Sequence, residues 1–315
     1  MSLSPWPQHA PFALFLSHDV DQIHDRELFR LLADGNHIRR MLLNGERGSI
    51  GLALRRMGRA LFRPKPAIRD FETLVAIESR YGFRSTWFLL HDKYWARQGA
   101  RYAFTDPEIK AIVQLLLRTG NEIGLHGGYY RFNNAAAYRE SRDAVAAVFG
   151  VQPVGIRNHL LRFSGAATWR AQWEAGLAYD ATYGWADRLG CRHDVPFPFF
   201  VGVAGGRATG ASGAGDLLEL PLTVMDVTLF RYLGLSGERA LAQAWEAVQA
   251  VVQQGGLVSL LWHNNYFNEP EYADWQWVYE ELLKRLAARK PWCATGAEIN
   301  AWWRTRFTVG CAELT

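Results

Sequence analysis

The stretch Phe12-Ala13-Leu14-Phe15-Leu16-Ser17-His18-Asp19-Val20-Asp21 decides how this chain is read. Its apolar run has the length and composition of a buried strand, and it ends in two acids. Strand side chains alternate, so Asp19 and Asp21 share one face while His18 and Val20 share the other. Carboxylates at the mouth of a buried strand are costly to desolvate without compensation. A divalent cation is the expected compensation; an N-cap pair for a following helix is the competing reading.

Working outward, strand-like runs recur at Ser85–Leu90, Glu122–Leu125, Pro153–Arg157, Leu217–Leu222 and Leu257–Trp262, with a weaker one at Trp292–Thr295. Between them lie helical patterns at Phe71–Tyr81, Asp106–Arg118, Ala135–Phe149, Thr168–Ala175, Glu238–Gln254 and Tyr272–Ala288. Gly82, Gly120, Gly150 and Gly176 each follow a helix, where a left-handed cap is wanted. Alternating strands and helices with short connections predict α/β architecture: a mostly parallel sheet with outer helices, barrel-like or open.

Length and composition narrow the class. With 315 residues, 49% of them hydrophobic, the chain can bury a large core, and a single domain over 1–315 is expected. A net charge of +4 does not argue for nucleic acid. The basic excess is local, in an insertion at about 22–70, where Arg39, Arg40, Arg47, Arg55, Arg56, Arg59, Arg63, Lys65 and Arg69 face only Glu46 between His37 and Arg69. Leu52, Leu54, Met57, Leu61 and Phe62 interleave with them, as in an amphipathic helix that meets a membrane surface or a phosphate; a solvated helix face is the plainer reading. No apolar run of membrane-spanning length and no secretory leader pattern is present, so a cytoplasmic location is expected. Cys191, Cys293 and Cys311 are too far apart for a cysteine zinc site and read as ordinary buried thiols.

In parallel α/β folds the chemistry collects at the C-terminal ends of strands. Five strands here end in titratable groups: Asp19 and Asp21, His126, Arg157 with His159, Asp226, and His263. With these residues in view the chain resembles the polysaccharide deacetylase (NodB-homology, carbohydrate esterase) family. Leu16–Asp21 resembles that family's first motif, Gly82–Phe88 its Gly-Phe-x-x-Thr-x-Phe strand, and Glu122-Ile123-Gly124-Leu125-His126 its Glu-Ile-Gly-x-His motif. Arg157 resembles its base-holding arginine, His263 its late histidine, and Tyr179-Asp180-Ala181-Thr182 its connecting element. The resemblance implies a distorted (β/α)7-type barrel and a metal-dependent hydrolase that removes an acetyl group from an N-acylated sugar. It also implies Asp19 as base, Asp21 and His126 as metal ligands, Arg157 as holder of the base and His263 as general acid.

One departure stands out. The family's second histidine would fall at Tyr130, and a phenol is a poor zinc ligand at neutral pH. His159, two residues after Arg157 and on its face if the strand continues, is the first choice for the third ligand, and His18 the second. A carboxylate with two imidazoles favours zinc, with cobalt, nickel or copper chemically compatible. Asp226 is expected to orient His263, and the N–H near Leu160 to serve an oxyanion. Tyr129, Tyr130, Trp185, Phe197, Tyr266 and Phe267 are candidates for stacking on a sugar, and Asn264 for binding one. Two other readings stay open: a non-catalytic carbohydrate-binding protein on the same barrel, and a hydrolase of a non-sugar amide.

Overall fold

Seven parallel staves, wrapped by helices, form a curled sheet. The computed structural model describes residues 4–23, 68–92, 99–202, 216–268 and 272–312, so most of the basic insertion and of the Gly/Ala-rich segment after Val201 lies outside the described residues. The strands are β1 (Ala13–Val20), β2 (Ser85–Leu90), β3 (Glu122–Gly127), β4 (Gly155–Asn158), β5 (Tyr179–Asp180), β6 (Phe199–Val201), β7 (Leu217–Glu219), β8 (Val224–Met225), β9 (Leu257–Leu261) and β10 (Trp292–Cys293). The helices are α1 (Ile68–Ser79), α2 (Pro107–Arg118), α3 (Ala135–Phe149), α4 (Ala166–Glu174), α5 (Gly237–Gln253), α6 (Ala273–Ala287) and α7 (Gly296–Ala312). No helix among the described residues is long and apolar enough to cross a membrane.

The strand order is β6-β7-β5-β4-β3-β2-β1-β9-β8, with β10 beside β1. All pairings are parallel except β6 with β7. β7 and β8 are two halves of one stretch, Leu217–Met225, which lies on β5 through its first half and on β9 through its second. That stretch joins the two sides of the sheet and makes the distorted barrel. The expected element pattern is present; β5, β6, β8 and α7 were not anticipated.

Period-two alternation sorts the side chains into two cores. Phe15, Phe88, Tyr179, Leu218, Leu220 and Leu257 fill the barrel interior, which Trp6 together with Ile299 and Trp303 of α7 closes at its N-terminal end. Leu14, Leu16, Trp87, Leu89, Val258, Leu260 and Trp262 point outward and pack under α1, α2, α5 and α6. Full burial of each such side chain contributes about 1.5–3 kcal/mol. Tyr179 is large for the interior, and glycines make its room: a Cβ on Gly155 would sit 1.8 Å, and one on Gly296 2.3 Å, from the phenol. The Tyr179 hydroxyl donates to Glu122, whose other oxygen accepts from Thr86 and from the N–H of Ala297 at the start of α7. Gly82, Gly120, Gly150 and Gly176 all take the positive φ expected of helix-ending glycines. Cys191 and Cys293 are half-buried free thiols.

Candidate metal centre and active site

The groups that the sequence puts at strand ends, Asp19, Asp21, His126, Arg157, His159, Asp226 and His263, lie at or just past the C-terminal ends of the staves. Val20 ends β1, and Asp21 follows it with its carbonyl accepting from Arg101 N–H at 2.9 Å while Gln22 bridges to Arg101 in parallel. The chain thus runs on extended through Asp21, and the acid pair does not cap a helix there. His126 sits near the end of β3 and Arg157 inside β4. β4 ends at Asn158, whose backbone is still extended, so His159 follows Arg157 at strand spacing and opens one helical turn in which Leu160 takes φ +55°.

Asp21, His126 and His159 offer ligand atoms that all lie within 4.8 Å of one another. Asp21 Oδ1 is 3.3 Å from His126 Nε2 and 3.7 Å from His159 Nε2. A tetrahedral ion with bonds of about 2.0–2.1 Å holds its ligand atoms about 3.4 Å apart, so the spacing fits a small divalent cation. Hydrogen bonding fits as well. His126 Nδ1 lies 2.8 Å from the Arg157 carbonyl, which can only accept, so the proton sits on Nδ1 and Nε2 turns its lone pair to the acids. Asp21 Oδ1, His126 Nε2 and His159 Nδ1 are buried with no hydrogen-bond partner in the protein. Buried polar atoms are seldom left so.

Electrostatics divide the three. Burial pushes the Asp21 carboxyl up, but the charges of His159 and His126 outweigh it and hold the group far below the ordinary carboxylate range. Burial pulls both imidazoles down; the facing Asp19 and Asp21 reverse this at His126, whereas His159 remains lowered. A lowered imidazole is neutral near pH 7, the form that can coordinate a metal.

Asp19 is fully buried, and its Oδ1 accepts from Arg157 Nη1 at 3.2 Å. Arg157 is held in turn: Nη1 donates to Ser17 Oγ at 2.8 Å, Nε to the Ala181 carbonyl at 2.9 Å, and the guanidinium lies 4.7 Å over the Phe88 ring. Across the mouth, Asp226 just past β8 accepts at Oδ2 from the His263 backbone N–H at 2.7 Å and at Oδ1 from His263 Nδ1 at 2.8 Å. Burial pulls this imidazole down, but Asp226, with lesser help from Asp19 and Asp21, pushes it up to about 9.

Several expectations need correction. His18 is not a ligand candidate: it points away from Asp19 and Asp21, with Nδ1 2.7 Å from the Trp262 carbonyl and Nε2 2.8 Å from Glu78. Tyr266 and Phe267 are buried in apolar clusters, because the turn after His263 folds inward, and neither is free to stack on a ring. Phe197 stacks between Trp6 and Trp303 at the closed end of the barrel. Asn264 is buried and its amide donates to the Gln22 carbonyl, which leaves Oδ1 as its remaining polar atom. Tyr130 is 60% exposed and so is no substitute ligand, though it stands open at the rim. Tyr129 and Trp185 carry guanidinium groups on their faces. Sequence reading missed Ser17 and the Ala181 carbonyl as supports of Arg157; the inward alternation of Ser17 with Asp19 was the available signal for the first.

Models of known protein families give no match to the chain, and curated proteins give none either. Solved structures do resemble it. A putative polysaccharide deacetylase from Mycobacterium smegmatis is 21% identical over 96% of this chain and 93% of its own, with a TM-score of 0.60. Puue allantoinase is 13% identical over 97% of this chain and 94% of its own, with a TM-score of 0.61. At these identities the likeness is one of fold: the chain has the NodB-like distorted (β/α) barrel.

Proposed function

We propose that this chain is a metal-dependent hydrolase that removes an acyl group, acetyl in the simplest case, from an N-acylated sugar or polysaccharide precursor. The observation that carries the proposal is the convergence of buried, otherwise unbonded ligand atoms of Asp21 and His126 with the imidazole of His159, beside a carboxylate held by arginine and an imidazole held by aspartate. A divalent ion, zinc in first place, would be held by those three residues; such an ion acidifies water and polarises an acyl oxygen.

The remaining residues divide the proton work. Asp19 accepts a proton from the attacking water, and the Arg157 contact aims its carboxylate. An amine leaves only when protonated. His263, kept charged at neutral pH by Asp226, is the donor. This polarity places the acyl group on the Asp21 side and the amine, with the sugar attached, toward His263.

The fold likeness to an allantoinase supports a second reading, hydrolysis of a non-sugar amide on the same residues. Metal analysis with an acetate-release screen across N-acetyl sugars and non-sugar amides tests both. The expected result is one ion per chain, lost together with activity in Asp21→Ala. Full activity after chelators have removed every ion would overturn the proposal, and a metal-free protein that still binds sugar would point to the non-catalytic reading.

A further inference from the structure

Trp185, one of the aromatic rings expected to receive a sugar, is occupied by two arginines. Trp185, in the loop after β5, has Arg192 at 4.1 Å from its ring centroid and Arg188 at 4.7 Å. Arg192 also lies 4.8 Å from the centroid of Tyr183. Rings stacked this way fix the plane of a guanidinium and leave its N–H edge to bind. Arg188 has a neighbouring acid, Asp187, at 3.4 Å, both side chains being exposed. Arg192 has no carboxylate partner among the described residues, and its Nε is buried without a hydrogen bond. A cation held in place by aromatic faces with no anion of its own is a receptor for one.

Its position gives the anion a meaning. The loop packs on the barrel mouth beside the Asp226–His263 pair: the Ala186 carbonyl accepts from Thr228 at 2.8 Å, the Tyr183 carbonyl accepts from Leu222 N–H at 3.1 Å, and the Thr223 carbonyl accepts from Gly190 N–H at 2.9 Å. Under the proposed function, on which this inference rests, the leaving amine lies toward His263, and the loop that carries Trp185 is bonded to the segment that carries His263's partner Asp226. We infer that the amine-bearing part of the substrate carries an oxyanion, a carboxylate or a phosphate, and that Arg192 reads it with Arg188 as its neighbour.

The test is calorimetric binding to the whole protein of N-acetylglucosamine, its 1-phosphate and N-acetylmuramic acid, which carries a carboxylate. The two anionic sugars should bind at least about tenfold tighter than the neutral one, the scale of one charge-assisted hydrogen bond. Arg192→Gln should remove that preference and leave the neutral sugar unchanged, and Arg192→Lys, which keeps charge without the planar fork, should restore only part of it. The stronger of the two anions identifies the source. Equal binding of charged and neutral sugars, or a preference that survives Arg192→Gln, overturns the inference. Because binding is read without turnover, an Arg192-dependent preference in a protein that releases no acetate would refute the hydrolase reading and leave anion recognition standing.

Discussion

His18 and His126 each lie within 4 Å of a carboxylate, yet they stand on opposite sides of the sheet and in opposite electrostatic conditions. On the outer side every polar atom of the His18 group has a partner. His18 meets Glu78 and the Trp262 carbonyl, and Glu78 accepts further from Ser85 at 2.7 Å and Tyr279 at 2.6 Å. On the inner side His126 Nε2 and Asp21 Oδ1 face each other without a hydrogen bond. The same residue types therefore serve two ends. A satisfied network ties helices α1 and α6 to the sheet, whereas an unsatisfied one is stabilised only by something added.

Asp21→Asn breaks the comparison most sharply. It should abolish metal retention and activity, at least a thousandfold by acetate release, with only a modest fall in the urea midpoint of the metal-free protein, since the lost carboxylate is partly exposed and leaves two imidazoles without their acid. His159→Ala should come next, weakening metal affinity by about 100-fold or more in a competition titration, with His126 and Asp21 left in place. Glu78→Gln should do the reverse: metal binding unchanged, and a loss of about 3–5 kcal/mol in urea unfolding, because His18 is left buried beside a neutral amide. Equal effects of Asp21→Asn and Glu78→Gln on stability and on metal would erase the distinction.

A smaller effect concerns pH. His263 is raised from 6.5 to about 9, so its pairing with Asp226 contributes fully to stability below about pH 6.5 and is lost as pH climbs through about 9. The proton-donating form falls away over the same upper range. The alkaline limb of the rate profile should therefore lie near pH 9 and move to lower pH by more than one unit in Asp226→Asn, with Glu78→Gln leaving it in place.

The opposition of His18 and Asp19 was legible in the sequence because strand alternation is rigid over an eight-residue strand. The long helices and strands were legible for the same reason. β5 and β8 were not: each is two residues long, too short to show a period, and both are held by pairing with distant chain. His159 was legible beside Arg157 because Asn158 between them keeps extended backbone, and the turn that follows, with Leu160 left-handed, was not. The aromatics were misjudged because exposure depends on how loops fold back: Phe267 and Tyr130 look alike in sequence and differ from fully buried to 60% exposed.

The stretch Leu217–Met225 acts as the clasp of a hoop, since one continuous piece of chain grips β5 with one half and β9 with the other. Cutting the backbone in the segment that precedes it and joining the natural termini would leave the hoop whole. A cut between Leu220 and Val224 would let the two flanks spring apart and would carry Asp226 away from His263 with the loose end.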